Sequence, residues 1–169
     1  MVLGPWTVAR VIIFYIISGG LNNMTAYSNG EIEAINRINR SGKLFKEPLI
    51  AARGAFYSFD AENNDNIVEI KRRNFTSDHF FAQEGVIIER SKYNDLMTIA
   101  ENNNKRALYC NIFTDRKAVI WNLSEMTTNN YDFGWHKKGM NRRTFESEDK
   151  IDKSVALLPL SDAKAKATV

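Results

Sequence analysis

The stretch that decides the fold is residues 57–71, which read Tyr-Ser-Phe-Asp-Ala-Glu-Asn-Asn-Asp-Asn-Ile-Val-Glu-Ile-Lys. A polar run lies between two segments rich in aromatic and β-branched residues, which is typical of a β-hairpin. A four-residue loop at 63–66 pairs Asp60 with Glu69 and places Lys71 on the same face. Two carboxylates and an ammonium group therefore share one side of the predicted hairpin.

The opposite face of this hairpin is predicted to be an ordinary core surface. Successive side chains of a strand point to opposite sides of the sheet, so every second residue belongs to that face. Its members are apolar on both strands: Tyr57, Phe59 and Ala61 on the first, and Val68 and Ile70 on the second.

The charged face is the candidate catalytic site. Like charges opposite each other on paired strands destabilise a sheet, and a bound divalent cation would compensate for this. Mg²⁺ takes oxygen ligands from one or two carboxylates and keeps several waters, so Asp60 and Glu69 are candidate metal ligands. Lys71 is the candidate for orienting or deprotonating the attacking water. The alternative is a solvated hairpin face on which Lys71 only screens Glu69.

Helices and strands are predicted on both sides of the hairpin. Ser28 and Glu31 have the spacing of a capping box and begin a helix over residues 28–40, which Ser41-Gly42 ends. The elements predicted after the hairpin are a helix at 92–102 and strands at 107–114 and 117–123. The order helix, hairpin, helix, hairpin indicates an α/β or α+β sandwich with a small mixed sheet.

The charged residues of the hairpin also match a known pattern. Phe59-Asp60 on one strand and Val68-Glu69-Ile70-Lys71 on the next resemble the D…(D/E)xK core of the PD-(D/E)xK restriction-endonuclease-like superfamily, although the proline of that name is absent and Ser58-Phe59-Asp60 stands there. The resemblance covers residues 28–125 and is to small phage-type nucleases. It implies an α/β fold with a restriction-endonuclease-like αβββαβ core, a small central mixed sheet flanked by helices, dependence on Mg²⁺ or Mn²⁺, and hydrolysis of phosphodiester bonds in nucleic acid.

In that superfamily a glutamate of the first helix often joins the metal site, and this chain offers Glu31 and Glu33. Glu31 lies four residues before Ile35 and seven before Ile38, on the stripe predicted to be buried, whereas Glu33 lies on the opposite face. Glu31 is therefore the predicted third metal ligand. The capping box explains the same residue without any metal.

Basic residues are candidates for contacts with DNA phosphates. Lys92 begins the helix after the hairpin, where the resemblance places a residue near the scissile phosphate, although an ordinary surface position also explains it. The segment 129–144 is polar, basic and aperiodic, which suits a loop lying on DNA as well as an ordinary solvated loop. The candidate DNA-binding residues are Arg72, Arg73, Lys92, Lys137, Lys138, Arg142 and Arg143.

The composition fits one intracellular domain. The 169 residues are 44% hydrophobic and 25% charged, and the single cysteine, Cys110, excludes an internal disulfide and favours a reducing compartment such as the cytoplasm. His79 and His136 with one thiol are too few for a zinc cage. The net charge of +3 permits an anionic partner without requiring one.

The ends of the chain differ from its centre. Residues 1–23 contain one charged side chain and an apolar run at 11–17 that is too short to span a membrane, so we expect a leader or flexible extension before Met24 and no membrane partner. A short buried strand is the alternative for that run. Residues 24–161 are expected to form the nuclease-like domain and 162–169 a frayed tail.

These features predict a Mg²⁺-dependent endonuclease that acts on duplex or branched DNA, with Mn²⁺ able to substitute. The chain is too short for a large separate recognition domain, so either a homodimer or recognition of DNA structure is expected. Two alternatives stay open: a nuclease-like fold that binds nucleic acid without cutting it, and a structural protein with a polar hairpin.

Overall fold

The computed structural model describes residues 29–52, 58–82, 85–141 and 150–169. The leader predicted at 1–23, the helix cap at Ser28, and Tyr57, Arg142 and Arg143 lie outside the described residues. The helices are α1 (Asn29–Ser41), α2 (Ser77–Phe81), α3 (Arg90–Asn102) and α4 (Leu123–Thr128), with a 3₁₀ turn at Leu160–Asp162. The strands are β1 (Ile50–Ala51), β2 (Ala61–Glu62), β3 (Asn66–Arg72), β4 (Val86–Glu89), β5 (Arg106–Ile112), β6 (Lys117–Asn122), β7 (His136–Asn141), β8 (Lys150–Leu158) and β9 (Ala165–Thr168).

The larger sheet is mixed and has six strands in the order β1-β2-β3-β5-β6-β9. β3 and β5 are parallel, and the other neighbours are antiparallel. The chain passes from β3 to β5 through α2, β4 and α3, as a parallel pair requires a long crossover. This arrangement confirms the predicted α/β class with a small central mixed sheet flanked by helices, and it is consistent with a restriction-endonuclease-like core.

Helices cover both faces of this sheet. On one face, Ile35 and Ile38 of α1 pack on Val68 and Ile70 of β3 in one buried cluster. On the other face, Leu96 of α3 belongs to a second buried cluster together with strand residues such as Ile67, Tyr109 and Trp121. Burial of these two apolar layers fixes the central strands, so the charged groups of β3 are presented from a rigid element.

The first helix ends at Ser41, within one residue of the predicted boundary. Gly42 follows with a φ of +59°, the left-handed conformation that glycine adopts without the steric penalty of a Cβ. Its N–H donates to the carbonyl of Asn39 at 3.2 Å, which satisfies one of the carbonyls left free at the end of the helix.

A second sheet of three strands, in the order β4-β8-β7, corrects the prediction of an aperiodic loop over residues 129–144. Residues 136–141 form β7, which pairs along its length with β8. Most side chains of β7 are exposed, so its pairing depends on backbone hydrogen bonds and leaves no apolar periodicity in the sequence. Val155, Ala156 and Leu158 of β8 are buried and carry the packing of this sheet.

The prediction of a frayed tail at 162–169 is wrong for most of that segment. Residues 165–168 form β9, antiparallel to β6 at the edge of the larger sheet. The N–H of Lys164 donates to Ile120 at 2.8 Å and that of Val169 to Arg116 at 2.7 Å. Alanines on the covered side supply little apolar signal, which is why composition alone suggested fraying. Among the residues with described structure, no helix has the length and apolar character to cross a bilayer.

Candidate active site

The hairpin register is the predicted one next to its loop. Glu62 pairs with Ile67 and Ala61 with Val68. Asn63 holds the loop closed because its side-chain oxygen accepts the N–H of Asp65 and of Asn66, at 3.1 and 2.9 Å.

A β-bulge interrupts this pairing at Asp60. The carbonyl oxygen of Val68, whose register partner is Ala61, accepts the N–H of Asp60 at 3.1 Å. Two residues of one strand therefore oppose a single residue of the other, and the alternation of side chains changes at that point. Asp60 lies beside Val68 rather than directly opposite Glu69.

The bulge corrects the predicted core face of the hairpin. Phe59 was expected on the same side as Ala61 and Val68, but it belongs to the buried cluster on the other face of the sheet, with Ile67 and Trp121. Its burial at that position anchors the segment that leads into Asp60.

Asp60 occupies the point where the ladder is broken. Its Oδ2 accepts the backbone N–H of Ile70 at 2.6 Å, so the carboxylate replaces a strand carbonyl as the acceptor. Burial, and secondarily the negative charge of Glu69, raise the pKa of Asp60 to about 6. Two carboxylates thus share a poorly solvated space, a condition that favours a proton or a cation between them.

Glu69 is the most enclosed charged group of the site, with 1% of its surface exposed. Its Oε1 lies 2.6 Å from Nζ of Lys71, and its Oε2 lies 3.2 Å from Nζ of Lys92. A buried carboxylate requires such pairing, since an uncompensated charge in the interior is strongly destabilising. Burial alone would lower the pKa of Lys71, but the charge and hydrogen bond of Glu69 outweigh it and the pKa is raised.

Lys92, which the resemblance places near the scissile phosphate, is held within the site. Its Nζ donates to the carbonyl oxygen of Ser58 at 3.0 Å as well as to Glu69. Lys92 therefore ties helix α3 to the strand segment before Asp60 and to the buried carboxylate of β3.

The structure separates the two glutamates of α1 as helical geometry predicted. Glu33 is exposed and forms an ion pair with Arg37 one turn on. Glu31 is partly buried, and its negative charge contributes to the raised pKa of Asp60. Glu31 is thus within electrostatic reach of Asp60.

The site supplies the type of ligand that Mg²⁺ takes. Asp60 and Glu69 offer hard oxygen ligands, one or two of which suffice when water completes the coordination. Over 29–52, 58–82, 85–141 and 150–169, no three carboxylate, histidine or cysteine side chains are grouped closely enough to form a metal cage by themselves. The donor set therefore fits an open carboxylate site and not a closed structural one.

The other predicted DNA-binding residues are distributed over two regions. The guanidinium of Arg72 lies against Gly30 of α1, where a Cβ would stand 1.6 Å from Nη1. Arg73 donates from Nε to Oδ1 of Asn111. Lys137 and Lys138 are exposed on β7 in the second sheet, apart from the hairpin in sequence and strand order.

Sequence reasoning missed two polar residues of β5. The parallel register places Tyr109 beside Glu69 and Asn111 beside Lys71, so both lie next to the site. The hydroxyl of Tyr109 donates to the carbonyl of Ile87 at 3.2 Å and accepts from Arg73 at 3.4 Å. Polar residues within an otherwise apolar strand were the available signal, but a parallel partner is not specified by local sequence.

Comparisons with known proteins give a likeness to a solved structure. No protein-family model matches the chain, and no curated protein matches it. Among solved structures, the chain is similar to Hjc, a Holliday junction resolvase from Archaeoglobus fulgidus, an archaeal hyperthermophile. The TM-score is 0.41 and the identity 14%, over 75% of this chain and 84% of that chain. At so low an identity, the roles of side chains here follow from their own geometry.

Proposed function

We propose that the chain is a metal-dependent endonuclease that hydrolyses phosphodiester bonds in DNA. The observation that carries the proposal is the convergence, at a β-bulge, of Asp60 with a raised pKa, the buried carboxylate of Glu69 and the ammonium group of Lys71. Perturbed titratable groups set in one place by broken secondary structure are typical of catalytic sites.

Asp60 and Glu69 are the proposed metal ligands, and Glu31 is the proposed third carboxylate. Bound Mg²⁺, or Mn²⁺ in its place, would polarise the scissile phosphate and lower the pKa of a water molecule. In its absence the protein provides a partly buried and electrostatically unfavourable pair of carboxylates, one of which already has a pKa of about 6.

Lys71 is proposed to orient the attacking water and stabilise negative charge. Because Glu69 raises its pKa, the ammonium form predominates at neutral pH. A group held in its protonated form is suited to donating hydrogen bonds to a developing anion, and less suited to abstracting a proton. Lys92 is proposed to position Glu69 rather than to contact the phosphate itself.

We propose the surface contacts with DNA on the positive charge of basic side chains. Arg72, Arg73, Lys137 and Lys138 are candidates for phosphate contacts, which fix the position of a duplex or branched DNA without reading its sequence. Arg142 and Arg143, outside the described residues, remain in that proposal. A homodimer is also proposed, and a cytoplasmic location is proposed on the single cysteine of the sequence.

A second function is favoured by one specific observation. Both carboxylate oxygens of Glu69 already contact ammonium groups, which is the pattern of a structural ion-pair network. On this alternative the chain binds nucleic acid, or serves a structural role, without cutting.

A cleavage assay separates the two functions. Supercoiled plasmid, linear duplex, single-stranded and branched DNA are incubated with the full chain in Mg²⁺, Mn²⁺ or Ca²⁺. We expect cleavage with Mg²⁺ and Mn²⁺, and its loss in Asp60→Asn and Lys71→Met, with Lys166→Met on exposed β9 as the matched control. Glu31→Gln should reduce the rate while Glu33→Gln on the same helix should not. Cleavage that persists in Asp60→Asn would refute the proposed site.

A further inference from the structure

A cavity of about 360 Å³ lies on the second sheet, next to α2 and to the segment that follows β3. It is lined at one position by Arg73, which follows β3, and at others by residues of β4, β7 and β8. Its volume is within the range of small-ligand pockets.

The wall of the cavity is apolar and its charges are positive. Phe75, Phe80, Val86 and Leu157 supply the apolar surface, and Arg73 and Lys138 supply the cations. Leu157 is 38% exposed, so its side chain is accessible at the cavity. No acidic residue lines the cavity among the described parts of the chain. Such a surface is complementary to a ligand that joins an anion to a planar apolar group.

Hydrogen bonds fix the side chain of Arg73 at a position where it can bind such an anion. Its Nε donates to Asn111 and its Nη2 to the hydroxyl of Tyr109, and both partners are buried. Neither Arg73 nor Lys138 forms an ion pair with any acid in the described residues. The amide nitrogen of Asn111 is buried and finds no acceptor among them either, so unused hydrogen-bond donors remain beside this end of the cavity.

Residues of β3 and β5 connect the cavity wall with the candidate active site. Arg73 follows Lys71 by two residues, roughly 7 Å along an extended chain and on the same side. Tyr109 joins the two places, because it lies beside Glu69 in strand register and bonds both Arg73 and the carbonyl of Ile87, a residue of the cavity wall.

We propose that this cavity binds one unpaired nucleotide of a DNA strand, with its phosphate at Arg73 and Lys138 and its base against the apolar wall. The inference rests on the proposed endonuclease function and names its substrate class: DNA with single-stranded or displaced nucleotides next to the bond that is cut. A base within a duplex is stacked and paired, so it cannot enter an apolar pocket without being extruded. An unpaired base enters at little cost and gains contact with the aromatic and aliphatic wall.

The test measures binding without metal, so that it does not depend on cleavage. Anisotropy of a labelled ten-nucleotide oligo-dT strand and of a blunt duplex of the same length is measured with the full chain in EDTA at fixed salt. We expect the single strand to bind about tenfold more tightly than the duplex, in line with the contribution of one stacked base. Leu157→Trp, which fills the cavity, should remove that preference, and Lys138→Ala should weaken single-strand binding severalfold.

The matched control is Ile50→Trp, which adds the same side chain at another exposed apolar position, in β1. It should leave both affinities unchanged. Lys138→Ala alters an exposed side chain, so it still tests the cavity if Leu157→Trp fails to fold. Equal affinity of the wild type for both DNAs, or single-strand binding unaffected by both cavity variants, would overturn the inference. Absence of cleavage together with the expected binding pattern would overturn the endonuclease proposal while supporting the nucleotide cavity.

Discussion

The carboxylate of Asp60 accepts the backbone N–H of Ile70 at 2.6 Å, at the point where β2 and β3 stop pairing. A side chain thus terminates the strand ladder on this side of β3. The same carboxylate is partly buried and close to Glu69. These two causes raise its pKa, although the hydrogen bond from Ile70 lowers it. Several measurable consequences come from this conflict.

Asp60 should make the protein less stable as the pH rises from about 4 to 6. Its pKa is about 6 in the folded chain against an ordinary value of 3.8, so in this window the unfolded chain has lost a proton that the folded chain still binds. Stability therefore falls with rising pH across the window and is level above it, by up to roughly 3 kcal/mol. Asp60→Asn keeps an acceptor for Ile70 and should remove this fall. Urea unfolding at pH 4.5 and 7.5 measures it, with Asp78→Asn as the exposed control.

Divalent cations should stabilise the folded chain, and more strongly above pH 6 than below it. A proton and a cation compete for Asp60, so ionisation of this group favours metal binding. At about a hundred times its dissociation constant, a cation adds about 2.7 kcal/mol, which corresponds to a rise in Tm of roughly 5 to 11 °C. Thermal melting with Mg²⁺, Mn²⁺ and Ca²⁺ checks this, and Ca²⁺ should raise Tm without supporting cleavage. An identical response in wild type and Asp60→Asn would place the cation elsewhere.

Lys92→Met should destabilise the fold although Lys92 belongs to a surface helix. The substitution removes the donor to Oε2 of Glu69 and to the carbonyl of Ser58. We expect a loss of roughly 2 kcal/mol in the free energy of unfolding, the range for a hydrogen bond to a charged group. Lys166→Met serves as the control, since this side chain is exposed on β9. A change no larger than that of the control would show that Lys71 alone is sufficient for Glu69.

Removing residues 164–169 should destabilise the protein, contrary to what a frayed tail would do. The truncation deletes β9 and two flanking hydrogen bonds, from Lys164 to Ile120 and from Val169 to Arg116. At about 1 kcal/mol for each hydrogen bond lost, the free energy of unfolding should fall by several kcal/mol. Chemical denaturation of the full and shortened chains measures the difference. Removing Val169 alone should have a smaller effect, and equal stability of all three chains would contradict the pairing.

The central hairpin could be predicted from the sequence because its loop and register depend on residues that are close together in the chain. A polar loop between β-branched segments set the register at Glu62 and Ile67, and helical periodicity distinguished Glu31 from Glu33. The bulge at Asp60 could not be read, since one extra residue in a strand leaves no mark in an alternating pattern that is only a few residues long.

Non-local contacts account for the rest of what sequence reasoning missed. Tyr109 and Asn111 reach the site through a parallel pairing that follows a long crossover, so their role depends on the whole topology. Strands β7 and β9 carry few buried side chains and gain their order from a neighbouring strand. The resemblance placed Lys92 near the scissile phosphate, but its ion pair with the buried carboxylate of Glu69 depends on how α3 packs on β3 and could not be predicted locally.

The β-bulge at Asp60 and Ala61 brings the acidic groups of the candidate site together at the cost of regular strand pairing. If one residue were deleted there, we expect the hairpin to pair regularly. Phe59 would then lie on the same face of the sheet as Ala61 and Val68, and Ile70 would donate to a main-chain carbonyl. Such a variant would regain a regular ladder, but it would lose the burial of Phe59 in the core. It would also no longer hold the carboxylate of Asp60 close to that of Glu69, so the proposed cation site would be lost.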